Sequence, residues 1–237
     1  MNRPRMIIFD AGKTLLDYLD IDTLRGVREY SKYITENPNN LPLEDINREI
    51  NAIFETFEAC RKNLFEVHEQ TVLKLAFDML GLKFSIPVEE IERIIWENDS
   101  TIVDVKNADK LLTYLNQQGI RTAVISNLDF SGKLLASRLN QIYPHNHFEF
   151  VIASSDYGIR KPHKHIFNVG IQKSGLNPED IWYVGDKIKV DVVGAMNAGM
   201  IPVLYCSQYN SAGAYANIPE GVLSISDYTE LIDILKK

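Results

Sequence analysis

Cysteine is scarce in this 237-residue chain. Cys60 and Cys206 stand far apart and form no C-x-x-C pair, which excludes a disulfide scaffold, a zinc ribbon and a dithiol redox motif. Both read as reduced, buried or half-buried thiols. Long apolar runs are missing as well. The run from Met6 to Phe9 is too short for a signal-peptide core or a membrane span, so a cytoplasmic location and no membrane partner are expected. Positive charge is in deficit: 25 Lys and Arg face 32 Asp and Glu, for a net charge of −7. That balance speaks against a nucleic-acid partner, which needs a basic face. It is compatible with an anionic substrate, because a bound metal reverses the local sign. There is no internal repeat or low-complexity tract. What is present is ordinary for a globular protein, with 45% hydrophobic and 24% charged residues. At about 100–200 residues per domain, the length fits one large domain or a core with one inserted module.

Two textures divide the chain. Met6-Ile7-Ile8-Phe9 reads as a buried strand of a parallel sheet that ends at Asp10. From about residue 20 to 100, apolar residues recur at helical spacing over Thr23–Tyr33, Leu43–Arg61, Glu66–Leu80 and Val88–Asn98, with no convincing strand. Asn37-Pro38-Asn39-Asn40, Gly81 and Pro87 punctuate these helices. After Asn107, strands and helices alternate. Strands are expected at Thr122–Ile125, Phe148–Ala153, Ile181–Val184 and Ile201–Tyr205, and helices at Ala108–Gln118, Ser131–Asn140, His163–Ser174 and Val190–Ala198. Such alternation implies an α/β fold, a mostly parallel sheet with helices on both faces. The helical block then stands as an insertion after the first strand. The expected division is a core of residues 1–16 and 101–237 and an all-helical module of residues 17–100.

In open parallel sheets, ligands bind beyond the carboxyl ends of the strands. The polar residues following the apolar runs are Asp10, Ser126 with Asn127, Asp156 to Lys161, and Asp186 with Asp191. This set suits phosphoryl chemistry. Asp10 and Asp186 are able to share a hard divalent cation such as Mg2+, which favours carboxylate oxygen. Lys161 balances charge on a phosphoryl group, Ser126 and Asn127 donate hydrogen bonds to it, and Asp10 attacks phosphorus to form an aspartyl-phosphate. Singly, each residue has a plainer reading, since a carboxylate at a strand end also caps the next helix. Their joint occurrence at four strand ends carries the weight.

Four segments together resemble the motifs of the haloacid dehalogenase-like (HAD) superfamily, in the family's order. They are Ile7-Ile8-Phe9-Asp10-Ala11-Gly12-Lys13-Thr14-Leu15, Ile125-Ser126-Asn127, Gly158-Ile159-Arg160-Lys161-Pro162, and Val184-Gly185-Asp186 with Asp191. The helical block falls where many members insert a cap. The resemblance implies a Rossmann-like three-layer core and, usually, Mg2+. By position, Asp10 is the implied nucleophile and a metal ligand, Lys161 a charge neutraliser, Ser126 and Asn127 phosphoryl contacts, and Asp186 and Asp191 metal ligands. One position departs. The family's phosphatases usually carry a second aspartate two residues after the nucleophile, and here that position is Gly12. The resemblance implies a metal contact from the backbone carbonyl at that position, which Gly12 is able to provide, but the general acid is gone, a loss typically worth about 10²–10⁴ in rate. The implied activity is Mg2+-dependent hydrolysis of a small phosphorylated metabolite, slowed or redirected by Gly12. The alternatives are a metal-independent 2-haloacid dehalogenase, whose members also lack the second aspartate, and a non-catalytic phosphate-binding protein. Nothing in the sequence sets the oligomeric state.

Several signals carry less. Gly12-Lys13-Thr14 lacks the earlier glycine of a P-loop, because Ile7 stands there. His145 with His147 and His163 with His165 read as surface pairs, since residues two apart on a helix do not share a face. Lys13 reads equally as a phosphate contact or a solvated lysine. Arg61, Lys62, Asn63 and His68 read as a solvated helix end, and Tyr205 to Tyr215 as a loop bordering the sheet.

Overall fold

The structure, a computed structural model, describes residues 3–206, 215 and 217–237. Strand β1 (Met6–Phe9) runs into a tight turn and strand β2 (Leu16–Leu19). Next come α1 (Thr23–Tyr30), β3 (Ile34–Glu36), α2 (Leu43–Thr56), α3 (Glu58–Lys62), α4 (Glu69–Leu80), β4 (Lys83–Phe84), α5 (Val88–Asn98) and β5 (Thr101–Asp104). The alternating part follows: α6 (Ala108–Gln117), β6 (Arg121–Ser126), α7 (Gly132–Ile142), β7 (Phe148–Ala153), α8 (Lys164–Ser174), β8 (Ile181–Gly185), α9 (Val193–Asn197) and β9 (Ile201–Tyr205). β10 (Leu223–Ile225) and α10 (Tyr228–Leu235) close it.

Six strands form one parallel sheet in the order β10-β9-β8-β1-β6-β7. All four residues of β1 are buried, because alternate side chains enter two different cores. Ile7 and Phe9 join the cluster under α6, α7 and α10, where Leu111, Leu115, Leu135 and Leu231 pack. Met6 and Ile8 join the cluster under α8 and α9, with Phe167, Ile171 and Ala195. The expected three-layer α/β arrangement is thus present. From β1 the chain builds outward to β6 and β7, then returns to the other side of β1 to lay down β8 and β9. This reversal makes the carboxyl end of β1 the topological switch point, where open sheets leave a crevice.

The block between β2 and β5 packs around its own cluster, in which Val27, Tyr30, Ile46, Ile50, Val72, Leu73, Phe77 and Ile91 are buried. Its helices carry local signals that match their ends. Asp22 accepts a hydrogen bond from Leu24 N–H at the start of α1, and Gly81 stops α4 with φ of 69°. The chain leaves for this block along β2 and returns along β5, and the two strands pair antiparallel.

Four details differ from the sequence expectation. The block is not wholly helical, since β3 and β4 form a two-stranded antiparallel ribbon within it. At three and two residues these strands are too short to show a period-two pattern. The Leu43–Arg61 stretch breaks at Phe57 into α2 and α3, so Arg61 turns toward the core. The helix expected from Val190 begins earlier as a wide turn, Ile188–Val192, that buries Asp191 before α9 starts. Finally, the short strands β2, β5 and β10 form through tertiary pairing, and α10 went unread although Asp227 caps it and Tyr228, Leu231 and Leu235 make a buried face at helical spacing. The Tyr205–Tyr215 stretch lies largely outside the described residues. No helix of the described residues is long and apolar enough to cross a membrane.

Candidate active site

The register of the sheet sets Phe9 level with Val124 and Val184 on the two neighbouring strands. Asp10, Ser126 and Asp186 therefore leave the sheet side by side at the switch point. Asp10 stays pinned to the sheet, its N–H donating to the Val184 carbonyl at 2.8 Å. After it the chain turns sharply, with Leu15 N–H and Leu16 N–H both donating to the Ala11 carbonyl and Lys13 in the left-handed region at φ 59°. Two tyrosines tie the turn down from the core: Tyr143 donates to Leu15 O at 2.5 Å and Tyr228 to Thr14 O at 2.6 Å.

Lys161 lies at the centre and is almost wholly buried. Its ammonium donates to Asp10 Oδ1 at 2.7 Å, to Asp191 Oδ1 at 2.7 Å and to the Tyr183 hydroxyl at 2.8 Å. Burial alone pulls a lysine down, but Asp10 and Asp191, with Tyr183, outweigh it and hold Lys161 well above its ordinary range. It is a cation at every physiological pH. Asn127 fixes the loop that presents it. Its Oδ1 accepts from Lys161 N–H at 2.7 Å and its Nδ2 donates to Lys161 O at 3.0 Å. The Asn127 side-chain amide is thus occupied by the Lys161 backbone, while the residue still lines the cavity at Asp10.

Carboxylate oxygens of Asp10, Asp186 and Asp191 all lie within 4.8 Å of one another, and all three residues are buried. Among the described residues this is the cluster with metal-holding geometry. Asp191 reaches it through the wide turn, its Oδ2 accepting from Lys187 N–H at 3.0 Å. Gly185 makes room for that approach. A Cβ at this position would stand 2.5 Å from Asp191 Cβ, which no side chain tolerates.

A cavity of about 200 Å3 opens on this group, lined by Asp10, Gly12, Lys13, Tyr18, Ser126 and Lys187 among others. Gly12 leaves it roomy. A Cβ at Gly12 would meet the edge of the Tyr18 ring at 3.5 Å, an ordinary contact, so Tyr18 faces the space where the family's second aspartate projects. Tyr18 and Leu128 also line a second, larger cavity of about 370 Å3 between the helical block and the sheet.

Two polar seams join the block to the core beside that cavity. Arg61 pairs with Glu66 at 3.2 Å and with Asp129 at 2.9 Å, and Ser154 donates to Glu66 at 2.8 Å. Glu92 accepts from Ser131 N–H at 2.7 Å and from Gln70 at 2.8 Å. Arg61 is therefore a half-buried bridge and not the solvated helix end expected from sequence. His68 is half-buried too, capping α4 and lying 3.9 Å from Asp156, while Lys62 and Asn63 are exposed. Asp156 caps α7 through the Gly132 N–H. His163 caps α8 and stacks edge-on against His165, away from the carboxylate group.

Sequence reading missed Tyr183, Tyr18, Leu128 and Lys187. Tyr183 is the third partner of Lys161 and also donates to the Ile125 carbonyl at 2.9 Å, yet in sequence it is one more aromatic in a buried strand. Its place two residues before Gly185-Asp186 was the available signal.

The comparisons agree with this geometry. The family profile for haloacid dehalogenase-like hydrolases matches residues 7–204. A glyceraldehyde 3-phosphate phosphatase of Pyrococcus furiosus is 27% identical across the whole of this chain and 93% of its own length. One of Methanocaldococcus jannaschii is 32% identical over 134 residues, 54% of either chain. Among solved structures, a 2-haloacid dehalogenase from Pseudomonas syringae has a TM-score of 0.63 at 18% identity, covering 98% of this chain and 97% of its own, and shows the shared fold. The chain belongs to the haloacid dehalogenase-like hydrolases and is an enzyme of that family.

Proposed function

We propose that this hydrolase is a Mg2+-dependent phosphatase of a small phosphorylated metabolite, with Asp10 as nucleophile. The observation that carries the reading is the buried Lys161 ammonium held 2.7 Å from both Asp10 and Asp191 at the switch point. It is supported by the phosphatase names of the relatives. Carboxylate oxygens of the buried Asp10, Asp186 and Asp191 gather within 4.8 Å of one another beside the Lys161 ammonium, which pairs with Asp10 and Asp191, and such a cluster offers a divalent cation several ligand oxygens. Hard oxygen donors suit Mg2+, and the fit is good. Asp10, Asp186, Asp191 and the Gly12 carbonyl would hold it. Bound there, it would draw negative charge off the phosphoryl oxygens.

The protein's own groups account for the rest. Lys161 orients Asp10 through its 2.7 Å contact, and with Ser126 it binds the phosphoryl oxygens. Asn127 positions Lys161. The Asp10 carboxylate attacks phosphorus, and the bond from phosphorus to the ester oxygen breaks with its electron pair going to that oxygen. The departing alkoxide takes a proton from water, because residue 12 offers none. The hydroxide so formed displaces Asp10 at phosphorus, giving hydrogen phosphate and the free carboxylate. Residues 1–16 and 101–237 serve as the catalytic core and residues 17–100 as a cap that closes the leaving-group side. Free thiols at Cys60 and Cys206 accord with a cytoplasmic enzyme.

The test is phosphate release from a panel of phosphorylated metabolites with Mg2+ and with EDTA. Release that needs Mg2+ and disappears in Asp10→Asn is expected. Gly12 favours one rival, a dehalogenase, and halide release from 2-haloacids that survives EDTA would replace this reading with that one.

A further inference from the structure

The cavity of about 370 Å3 beside the nucleophile has a chemistry of its own. Tyr18 and Leu128 line both cavities, so the larger space adjoins the one at Asp10. The walls are largely hydrocarbon and aromatic: Ile50, Phe54, Ile95, Trp96 and Phe130, with Tyr30 at the back. Trp96 lies edge-on to Tyr18, with ring centroids 6.1 Å apart, and tilts against Phe130 at 4.8 Å.

Two buried donors in this wall are unanswered. The Tyr30 hydroxyl and the Trp96 indole N–H have no hydrogen-bond partner among the described residues. Tyr30 is wholly buried and Trp96 nearly so. Buried polar groups are paired in the great majority of cases, and those left over ask for a ligand. An indole N–H donates only, so its partner must be an acceptor. Glu69 lines the same space, and burial together with Asp129, Asp99 and Glu92 raises its carboxyl well above the usual range. Of the charged groups in the lining, Arg61 is matched by Asp129 and Glu66, and the Asp99 carboxyl accepts from Gly26 N–H.

Resting on the phosphatase reading above, we infer that the substrate is the phosphate monoester of an alcohol bearing a flat, largely apolar ring with a hydrogen-bond acceptor on its edge. The ring lies among Trp96, Phe130 and Phe54, and the acceptor takes the protons of Tyr30 and Trp96. A cavity of this size falls in the range of about 300–1,000 Å3 that takes a drug-sized ligand. The six non-hydrogen atoms of glyceraldehyde would fill roughly half of it, even at about 30 Å3 each. This chain and its archaeal relatives therefore part at the leaving group.

Three substrates of similar leaving-group acidity test this: 2-phenylethyl phosphate, its 4-pyridyl analogue, which adds one acceptor to the same ring, and glyceraldehyde 3-phosphate. Expected in the wild type is a kcat/KM for the pyridyl ester at least about tenfold above that for glyceraldehyde 3-phosphate, with the phenyl ester between. Tyr30→Phe should pull the pyridyl value down toward the phenyl one. Ile50→Trp, which fills the cavity without touching the two donors, should lower both ring esters relative to glyceraldehyde 3-phosphate. Glyceraldehyde 3-phosphate turned over as well as or better than the ring esters would overturn the inference and leave the phosphatase reading standing. If no ester is hydrolysed, the phosphatase reading fails instead, and binding of the inert phosphonates, followed by tryptophan fluorescence, decides. Tighter binding of 2-(4-pyridyl)ethylphosphonate than of propylphosphonate upholds the ring site, and equal or weaker binding overturns it.

Discussion

The two cavities that meet at Tyr18 and Leu128 are built on opposite plans. The one at the sheet end is small and charged, assembled from four strand ends held in register by backbone hydrogen bonds. The other is larger and mostly apolar, assembled from side chains of the helical block and of the loop after β6. In the first, the buried Lys161 ammonium makes three contacts. In the second, Tyr30 and Trp96 hold unpaired donors. The difference teaches where each kind of information sits. Reaction chemistry needs charges at fixed separations, which a sheet supplies. Recognition of the leaving group needs shape, which packed helices supply and which changes with few side chains.

Four substitutions break or sharpen this contrast. The largest effect is expected from Lys161→Met, which strands Asp10 and Asp191 as unpaired buried charges. Stability should fall by about 3–5 kcal/mol, as when one partner of a buried pair is removed. Hydrolysis should fall at least about 10²–10³-fold with the lost electrostatic stabilisation. Urea unfolding and turnover read the two losses separately, and a variant of wild-type stability would show that the pair is not held as described.

Ile46→Ala strikes the other region. Ile46 is wholly buried in the cluster of the helical block, and its truncation should cost about 2–5 kcal/mol. Hydrogen exchange should show the loosening within α1, α2 and α4, while β1, β6 and β8 keep their protection. Uniform loss across both regions would mean that they unfold as one unit.

Gly12→Asp tests the missing acid. The position has room, with only the Tyr18 ring edge at 3.5 Å from a new Cβ. Turnover of esters with poor leaving groups should rise, by up to about 10²-fold, and that of acyl phosphates should change little. A drop for both would mean that Gly12 is needed for its shape.

The last effect is one of pH and concerns Asp99, which lines the apolar cavity. Burial pushes its carboxyl from an ordinary 3.8 up to about 7, against the pull of the Gly26 N–H and Arg25. The folded protein therefore holds a proton on Asp99 that the unfolded chain has already lost. The stabilisation this gives is complete below about pH 4 and drains away as pH rises toward 7. Asp99→Asn keeps an acceptor for Gly26 N–H and removes the titration. The stability of the wild type relative to this variant should fall between pH 4 and 7 and be flat above, as followed by thermal unfolding. A flat difference throughout would place the Asp99 pKa near its ordinary value.

The legible part of the protein was the part written in short local patterns. Met6 to Phe9 is apolar throughout because both its faces are covered, and that shows in four letters. Asp10, Ser126, Lys161, Asp186 and Asp191 were singled out because each follows or flanks such a run, and the sheet brings them together as their order implied. Asn127 was singled out too, but its side-chain partner went unread. Its amide is spent on the backbone of Lys161, 34 residues away in sequence, and no local pattern announces that partner. Arg61 was read as solvated because its neighbours Lys62 and Asn63 are, yet the break at Phe57 turns it onto Glu66 and Asp129. The ribbon of β3 and β4 went unread because strands of three and two residues carry no period.

By itself, the sequence determined the alternation that makes an α/β sheet, the place of the helical insertion, and the residues that stand at the strand ends. Those follow from hydrophobic period and strand polarity, which act within a few residues of chain. Only the tertiary structure decided that Tyr183 would share the lysine, that Asp191 would press against a side-chain-free Gly185, and that Tyr18 would face the space beside Gly12. It alone formed the ring-walled cavity, whose lining runs from Tyr18 to Phe130. Such features depend on which distant surfaces pack together, and packing is settled by the shape of the whole chain.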